Sequence, residues 1–232
     1  AIYTLSKFIV VGDGGTVSSS ADLATWTTST LSGTPKLNAL ASNGSRVVAV
    51  GDAGTIAYSA DGVTWASATV PVSTNLYGVA YASSGTWLAV GASGTLLTSG
   101  DGITWTAQTS GVTSDLRAAA YRAATTVTTT IPDATTTTAA AYVVVGAGGV
   151  ILQSTDAVSW AKIPNTGPDL MAVSSLPNQF LAVGASGAVA TSADGLTWTA
   201  STMTGGSNMY GLNNARGQYV AVGASGANYY SR

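Results

Sequence analysis

Short apolar runs recur along the whole chain, and each run ends in a cluster of Gly, Ser, Thr or Asp. One such set reads L-Y-G-V-A-Y (76–81), T-W-L-A-V (86–90) and T-L-L-T-S (95–99), followed by a segment that starts I-T-W-T. Runs of this length, rich in β-branched and aromatic residues, predict strands, and the S-S-G, G-A-S-G and G-D-G segments between them predict tight turns. No segment shows a helical period. The pattern therefore predicts an all-β chain built from groups of four short antiparallel strands.

A V-G-x-x-G motif, or a close variant of it, repeats six times. Its first glycine falls at Gly12, Gly51, Gly91, Gly146, Gly184 and Gly223, in steps of 39, 40, 55, 38 and 39 residues. A serine follows eight residues later in every copy, at Ser20, Ser59, Ser99, Ser154, Ser192 and Ser231. Four-strand units with a period near 40 residues are typical of propeller blades. We expect a single six-bladed β-propeller domain over residues 1–232, with repeats near 1–36, 37–75, 76–115, 116–169, 170–207 and 208–232, and with one blade incomplete unless residues 2–5 close it.

An aspartate and a tryptophan hold fixed places after that serine in five copies. The aspartates are Asp22, Asp61, Asp101, Asp156 and Asp194, and a tryptophan follows each by four residues, at Trp26, Trp65, Trp105, Trp160 and Trp198. Ser and Asp side chains commonly hydrogen-bond the backbone of their own turn, and we expect them to do so here. We expect the tryptophans to fill the gaps between neighbouring blades. Two copies, A-D-L-A-T-W (21–26) and T-D-A-V-S-W (155–160), lack the turn glycine and must place another residue where glycine is easiest.

These segments carry a family resemblance. S-A-D-G-V-T-W (59–65) resembles the Asp-box, or BNR repeat, of sialidases and related propellers. The longer G-D-A-G-T-I-A-Y-S-A-D-G-V-T-W (51–65) is similar to the repeats of photosystem II assembly and stability factors. The resemblance covers nearly the whole chain, implies a propeller, and assigns these Asp and Trp residues to structural turns away from a ligand face. The usual Asp-box, S-x-D-x-G-x-T-W, is one residue longer, so we expect this turn to differ in detail.

The step of 55 contains an insertion of about 16 residues, at about 123–140. It is rich in threonine, which favours strands, and Ile131-Pro132-Asp133-Ala134 is typical of a turn with proline at its second position. We expect a β-hairpin that projects from the blades; the alternative is a disordered Thr-rich loop that carries O-glycans. At the chain ends, residues 2–5 either form a shortened first strand of the first blade or close the last blade as its outermost strand.

Composition argues against an enzyme. The chain has no Cys, His or Glu, so it lacks three of the side-chain types most used in acid–base catalysis and the usual ligands of zinc and copper. Sialidase chemistry needs an Arg triad and a Tyr–Glu pair, and the five arginines, Arg46, Arg117, Arg122, Arg216 and Arg232, follow no such pattern. We therefore expect no catalysis, no cofactor and no metal.

Charge and hydropathy narrow the classes of partner. Only 8% of residues are charged and the formal net charge is −2, which gives no basic footprint for nucleic acid. No apolar run of about 18 residues is present, so we expect no transmembrane segment. No signal peptide is visible, and a leader already removed would leave the same sequence.

Several side chains are candidates for binding. Asp13 and Asp52 hold the same turn position in adjacent repeats and could bind a cation or a sugar hydroxyl, or could simply suit a turn. Asp115 and Arg117 form a charged pair at the start of an innermost strand whose counterparts are nearly uncharged. The remaining candidates are Tyr77 and Tyr210, which could stack on a sugar or pack internally; Thr128, Ile131 and Asp133 of the insertion, as partner contacts; and Asn43-Gly44-Ser45, a glycosylation sequon or an ordinary turn.

The function expected from these observations is a non-catalytic interaction or assembly scaffold, exported or on the cell surface. Its partners would be proteins, a second copy of the chain included. A glycan-binding lectin is the first alternative and a glycoside hydrolase the second.

Overall fold

The computed structural model describes residues 1–130, 133–165, 167–176, 178–215 and 218–230. The contacts divide the chain into two compact units, Ala1–Leu116 and Arg117–Arg232. Among the described residues, three antiparallel blade sheets belong to each unit, one for each predicted repeat, and the second unit also holds a separate two-stranded sheet. The all-β, six-bladed prediction is confirmed, and the single-domain organisation stays a prediction.

The first unit holds blades 1 to 3, each a four-stranded sheet in which chain order is also spatial order. Blade 1 contains β1 (Ile2–Thr4), β2 (Lys7–Val11), β3 (Thr16–Ser20) and β4 (Thr27–Thr30). Blade 2 contains β5 (Leu37–Ser42), β6 (Val47–Gly51), β7 (Ile56–Ser59) and β8 (Ala66–Ser67). Blade 3 contains β9 (Leu76–Tyr81), β10 (Trp87–Gly91), β11 (Leu96–Ser99) and β12 (Thr106–Gln108).

The second unit holds blades 4 to 6 and the insertion. Blade 4 contains β13 (Leu116–Arg122), β16 (Ala141–Gly146), β17 (Ile151–Ser154) and β18 (Ala161–Ile163), and the insertion forms a separate two-stranded sheet of β14 (Thr125–Thr130) and β15 (Asp133–Thr138). Blade 5 contains β19 (Leu170–Leu176), β20 (Gln179–Gly184), β21 (Ala188–Ser192) and β22 (Thr199–Thr202). Blade 6 contains, in the described residues, β23 (Met209–Ala215), β24 (Gln218–Gly223) and β25 (Asn228–Tyr230).

Two sequence expectations about strands are decided here. Strand β1 pairs with β2, with Ile2 opposite Ile9, so residues 2–4 form the short first strand of blade 1. The fourth strand of blade 3 begins at Thr106 rather than at Ile103. The reason is that the Asp101 carboxylate accepts hydrogen bonds from the backbone N–H groups of Ile103 and Thr104, which keeps both residues in the turn.

Blades pack against their neighbours through both faces of each sheet. On β6, Val47 and Ala49 join a cluster with blade 1, whereas Val48 and Val50 join a cluster with blade 3. Successive side chains of a strand point to opposite faces. A central blade therefore needs apolar residues on both faces, which explains the continuous V-V-A-V run.

The V-G-x-x-G turns have the geometry of a type I turn reflected in a mirror, with positive φ at both central residues. In blade 2 the two central residues, Ala53 and Gly54, have φ of +53° and +70°, the left-handed pair typical of hairpin turns. The first glycine of the motif has a different role, because Gly91 is extended, with φ −164°. A Cβ atom at Gly91 would overlap the carbonyl oxygen of Asn75 in the preceding linker. The motif therefore combines a left-handed turn with a close backbone approach.

Because the strands of a blade are antiparallel, the turn after the second strand and the turn after the third strand lie at opposite ends of the blade. We call the end with the V-G-x-x-G turns and the linkers between blades the turn end, and the end with the five Ser–Asp turns the Ser–Asp end. No helix in the described part of the chain is long and apolar enough to cross a membrane.

Candidate functional site

A β-bulge recurs at the turn end of the innermost strands. The register shifts after the first residue of β5, β9, β19 and β23, so that the strand pairing passes over the second residue of each strand. These residues are Asn38, Tyr77, Met171 and Tyr210. A bulge redirects a side chain and is common beside functional sites. One Asn, one Met and two Tyr side chains thus share one special backbone position, and Arg117 is the second residue of β13, the same place in the repeat.

Asn38 reaches two partners from this position. Its Nδ2 donates to the Asp52 carboxylate at 3.0 Å and to the backbone carbonyl of Leu76 at 2.8 Å. Asn38 therefore fixes the Asp52 side chain and ties blade 2 to the first strand of blade 3. It was not a candidate from the sequence, and alignment of the repeats on Tyr77 would have found it.

Asp13 and Asp52 have separate partners. Asp13 lies 4.0 Å from the Lys36 ammonium, with the two side chains 86% and 59% exposed, and Asp52 accepts from Asn38. An exposed ion pair of this length contributes little to stability. Among the described residues no group of three or more acidic side chains is arranged to hold a metal ion. A role for Asp13 and Asp52 in binding stays a prediction.

Asp115 holds a linker position that recurs along the chain. Its Oδ1 accepts a hydrogen bond from the backbone N–H of Ser93 in the turn of the previous blade, at 3.1 Å. Three other linkers make the same contact, from Ala53 to Asn75, from Gly148 to Asp169 and from Ser186 to Asn208. Asp115 is thus one of four linker residues whose side-chain oxygen accepts from a turn N–H. In the sequence, Asp115 was compared with other residues by charge and was therefore not grouped with the asparagines.

The remaining turn-end candidates differ in exposure. Tyr77 and Arg117 are half-buried, whereas Tyr210 is 57% exposed and its hydroxyl accepts from Asn208 Nδ2 at 3.4 Å. Arg117 belongs to the second unit and Asp115 to the first. Within the first unit the fold brings Asn38, Asp52 and the start of β9 together.

The five Ser–Asp turns share one hydrogen-bond pattern. In blade 1 the Ser20 hydroxyl donates to Asp22 Oδ1, which also accepts from the backbone N–H groups of Ala24 and Thr25. These bonds, led by that from Thr25, lower the pKa of Asp22 to about 2, and the same arrangement led by Ser159 lowers that of Asp156 to about 2. The pKa of Asp61, Asp101 and Asp194 is lowered for the same reason. These carboxylates stay ionised in their turns.

The turns without glycine contain left-handed residues, as the sequence required. Leu23 has φ +63° and Ala157 φ +62°, at the place where Gly62 and Gly102 have +72° and +73°. Such backbone is unfavourable for a residue with a Cβ atom.

Trp65, Trp105 and Trp198 lie in clusters of described residues formed by two successive blades. Trp65 packs with blades 1 and 2, Trp105 with blades 2 and 3, and Trp198 with blades 4 and 5. Trp105 is 4% exposed. Trp26 and Trp160 belong to the first blade of each unit.

Cations at the Ser–Asp end bind carbonyl groups of the next blade. Lys7 Nζ donates to the Asp61 carbonyl at 3.0 Å, and Arg46 donates to that of Asp101. Arg122, the last residue of β13, donates to the Ala193 carbonyl and lies over the Phe180 ring, 4.8 Å from its centroid. Burial lowers the pKa of Arg122, and the charge of Asp194 partly opposes the shift.

Two hydroxyl-lined clefts occupy equivalent places at the Ser–Asp end. One of about 240 Å³ lies in blade 1 beside Asp22, and one of about 360 Å³ lies in blade 5 beside Asp194. Seven lining residues of each cleft hold matching repeat positions: Lys7 and Gln179, Ser19 and Thr191, Ser20 and Ser192, Ala21 and Ala193, Asp22 and Asp194, Thr25 and Thr197, Thr27 and Thr199.

The insertion forms the expected β-hairpin. β14 and β15 are antiparallel, with a regular register from Thr125 opposite Thr138 to Thr130 opposite Asp133. Thr128 and Asp133 lie in these strands, and Ile131 lies outside the described residues. Their role as partner contacts stays a prediction.

Comparisons with known proteins agree with the fold. No protein-family model matches the chain, and no curated protein matches it. YCF48 bound to D1 peptide superposes with a TM-score of 0.68 at 16% identity, over 97% of this chain and 74% of that one. YCF48 from Cyanidioschyzon merolae gives 0.68 at 17% over 96% and 78%, and the WD40 repeats of RRP9 give 0.72 at 8% over 97% and 72%. The chain is a six-bladed β-propeller, similar in fold to YCF48 and to WD40 propellers.

Proposed function

We propose that this protein is a non-catalytic scaffold that binds a protein partner through the turn end of its blades. The observation that carries the proposal is the bulge position, where Asn38, Tyr77, Met171 and Tyr210 occupy one backbone geometry. Proteins that share a fold often differ in specificity through the side chains carried at a few positions of the same backbone. The bulge position is such a position, because its backbone geometry recurs and its residue type changes.

The chemistry of these positions suits a polypeptide. Tyr and Met are enriched in protein interfaces, and Met adapts to irregular surfaces. Asn can donate to and accept from a backbone. A protein of similar fold, YCF48, binds a D1 peptide. An extended segment of a protein partner is therefore the ligand that we propose here.

The absence of catalysis is part of the same proposal. The chain has no His, Glu or Cys, and five of its ten aspartates are engaged by backbone N–H groups in the Ser–Asp turns. A carboxylate held ionised in this way is a poor general acid. We also propose that the protein is exported or lies on the cell surface, and this part of the proposal rests on the sequence alone.

A random peptide library displayed on phage tests the binding site. Peptides selected on the wild-type protein should bind Tyr210→Ala at least about tenfold more weakly, a loss of about 1.4 kcal/mol. Leu196→Ala is the matched control, because Leu196 is also exposed, at 53%, but lies at the Ser–Asp end. Peptides that lose affinity for Leu196→Ala and keep it for Tyr210→Ala would place the binding surface at the wrong end.

Glycan binding is a second candidate, supported by the two hydroxyl-lined clefts. Hydroxyl groups beside one ionised carboxylate offer donors and acceptors to a neutral sugar. A glycan array with the wild-type protein should give hits that are lost in Thr27→Val combined with Thr199→Val, and kept in Thr202→Val at the turn end. An array without hits removes this candidate.

A further inference from the structure

The β14–β15 hairpin leaves both of its edges unpaired in the described part of the chain. The two strands form a two-stranded sheet of their own, and no other described strand pairs with either of them. A two-stranded sheet alone is marginally stable in water. Its outer edges carry backbone N–H and C=O groups that can pair with another strand.

The base of this hairpin is fixed to the rest of the second unit. Arg122, three residues before the first residue of β14, is 4% exposed and donates to the Ala193 carbonyl in blade 5. The Ser175 hydroxyl of blade 5 donates to the Tyr121 carbonyl at 2.7 Å. The hairpin therefore extends from an anchored base at the Ser–Asp end.

The hairpin lacks the features by which proteins block a strand edge. Natural edges are usually protected by Lys, Pro, a bulge or a short length. Thr125–Thr130 and Asp133–Thr138 contain no Lys, no Pro and no Gly, and the register shows no shift over six pairs. Nine of these twelve residues are Thr, which favours extended backbone.

The register identifies which backbone groups face outward. With two residues between the strands, Thr130 and Asp133 form a hydrogen-bonded pair, and hydrogen-bonded and non-bonded pairs alternate from there. The outward N–H groups of β14 therefore belong to Thr125, Val127 and Thr129. Those of β15 belong to Ala134, Thr136 and Thr138.

We propose that the β14 edge pairs antiparallel with β14 of a second copy of this chain, so that two hairpins form a four-stranded sheet. Charge selects this edge, because Thr125–Thr130 is uncharged whereas β15 begins with Asp133. Two copies of β14 meet without like charges opposite each other, and Thr opposite Thr is a favourable cross-strand pair. Pairing about Val127 makes the contact two-fold symmetric, as a dimer interface should be.

Six-residue strands bury less surface than a stable complex usually needs, so we expect a weak dimer. Sedimentation velocity from about 10 μM to about 1 mM should show a sedimentation coefficient that rises with concentration for the wild-type protein. Val127→Pro removes an outward N–H of β14 and should stay monomeric throughout. Ala134→Pro removes the equivalent group of β15 and should associate like the wild type. Urea unfolding of both variants checks that the blades remain folded.

Cysteine substitution gives an independent readout, because the chain has no Cys of its own. In the symmetric pairing, Val127 of one copy lies opposite Val127 of the other at a Cα distance of about 5.5 Å, within the range of disulfides. Val127→Cys should form covalent dimers under mild oxidation, and Ala134→Cys should form few. A wild-type protein that is monomeric at all concentrations, equal association of the two proline variants, or equal crosslinking of the two cysteine variants overturns the proposal.

Discussion

The Asp115 carboxylate accepts a hydrogen bond from the backbone N–H of Ser93, across the joint between blade 3 and the linker that leaves it. Ser93 has φ +53°, and its N–H points out of the turn toward the linker. Asn75 and Asn208 make the same contact with an amide oxygen. The contact therefore needs an acceptor at this position and does not need a charge.

Asp115→Ala should destabilise the protein by about 1 kcal/mol, because the Ser93 N–H loses its acceptor. Asp115→Asn should be close to neutral, since asparagine serves at two equivalent positions. Urea unfolding of the three proteins measures the difference. If Asp115→Ala keeps full stability and loses affinity for selected peptides, Asp115 is a binding residue instead.

Trp105→Ala should cost about 3–5 kcal/mol, the usual range for a buried aromatic side chain. Trp105 is 4% exposed in the cluster that joins blades 2 and 3, whereas Trp26 is 40% exposed. Trp26→Ala should therefore cost clearly less. Equal losses in denaturant unfolding would show that burial does not set the contribution of these tryptophans.

Leu23→Gly should stabilise the protein by about 1 kcal/mol. Leu23 has φ +63° and is 56% exposed, so glycine relieves the left-handed backbone and removes little buried surface. Leu196→Gly is the control, because Leu196 is also exposed but is not among the residues with positive φ. That substitution should destabilise through greater freedom of the unfolded chain. A rise in thermal midpoint for Leu23→Gly and a fall for Leu196→Gly are the expected results.

Gly91→Ala should destabilise by about 1–3 kcal/mol through overpacking. Its backbone is extended, and the added methyl group would overlap the Asn75 carbonyl. Gly12 holds the same repeat position with φ −162° and has nothing within 4 Å of an added Cβ atom. Gly12→Ala should thus be tolerated. Similar losses for both would contradict the role assigned to close approach.

Stability should fall as the pH drops from about 4 toward 2. The pKa of Asp22 and Asp156 is about 2 in the folded chain, below the ordinary value near 3.9. A lowered pKa contributes stability above the unfolded value that disappears as pH falls through the folded value. Asn keeps an acceptor oxygen but cannot titrate, so Asp22→Asn should show a shallower acid dependence. An unchanged slope of unfolding free energy against pH would exclude Asp22 as a contributor.

The sequence predicted the repeat, its strands and the hairpin because each rests on local chemistry: β-branched runs, positive-φ glycines and turn aspartates. It did not predict the bulge, because a bulge changes the pairing without changing the 39-residue spacing, and Asn38 and Met171 look unremarkable alone. Asp115 was interpreted as a charged exception because the comparison used charge. Comparison by hydrogen-bond acceptor would have grouped it with Asn75, Asp169 and Asn208.

The sequence predicted only that the first glycine of the repeat lies in a tight turn. Gly91 and Gly184 are extended, and the reason for glycine is the neighbouring linker carbonyl. A close approach between segments that lie 15 or 16 residues apart leaves no local signal. Only the alignment of all six repeats shows that the position never varies.

The side chains at the bulge positions differ from repeat to repeat, whereas the backbone hydrogen bonds that join a blade to its linker recur. The joints use backbone carbonyls and short linker side chains, such as the bond from Asp52 N–H to the Lys36 carbonyl and its repeat from Ala92 to Asn75. The two bonds just named join backbone atoms, so the identity of the side chain at Tyr77, Met171 or Tyr210 does not enter them. Those three positions can therefore be randomised together as a diversified library on an unchanged framework, in the way that hypervariable loops are randomised in antibody engineering. The propeller would serve as a cysteine-free binder scaffold whose specificity is chosen by selection.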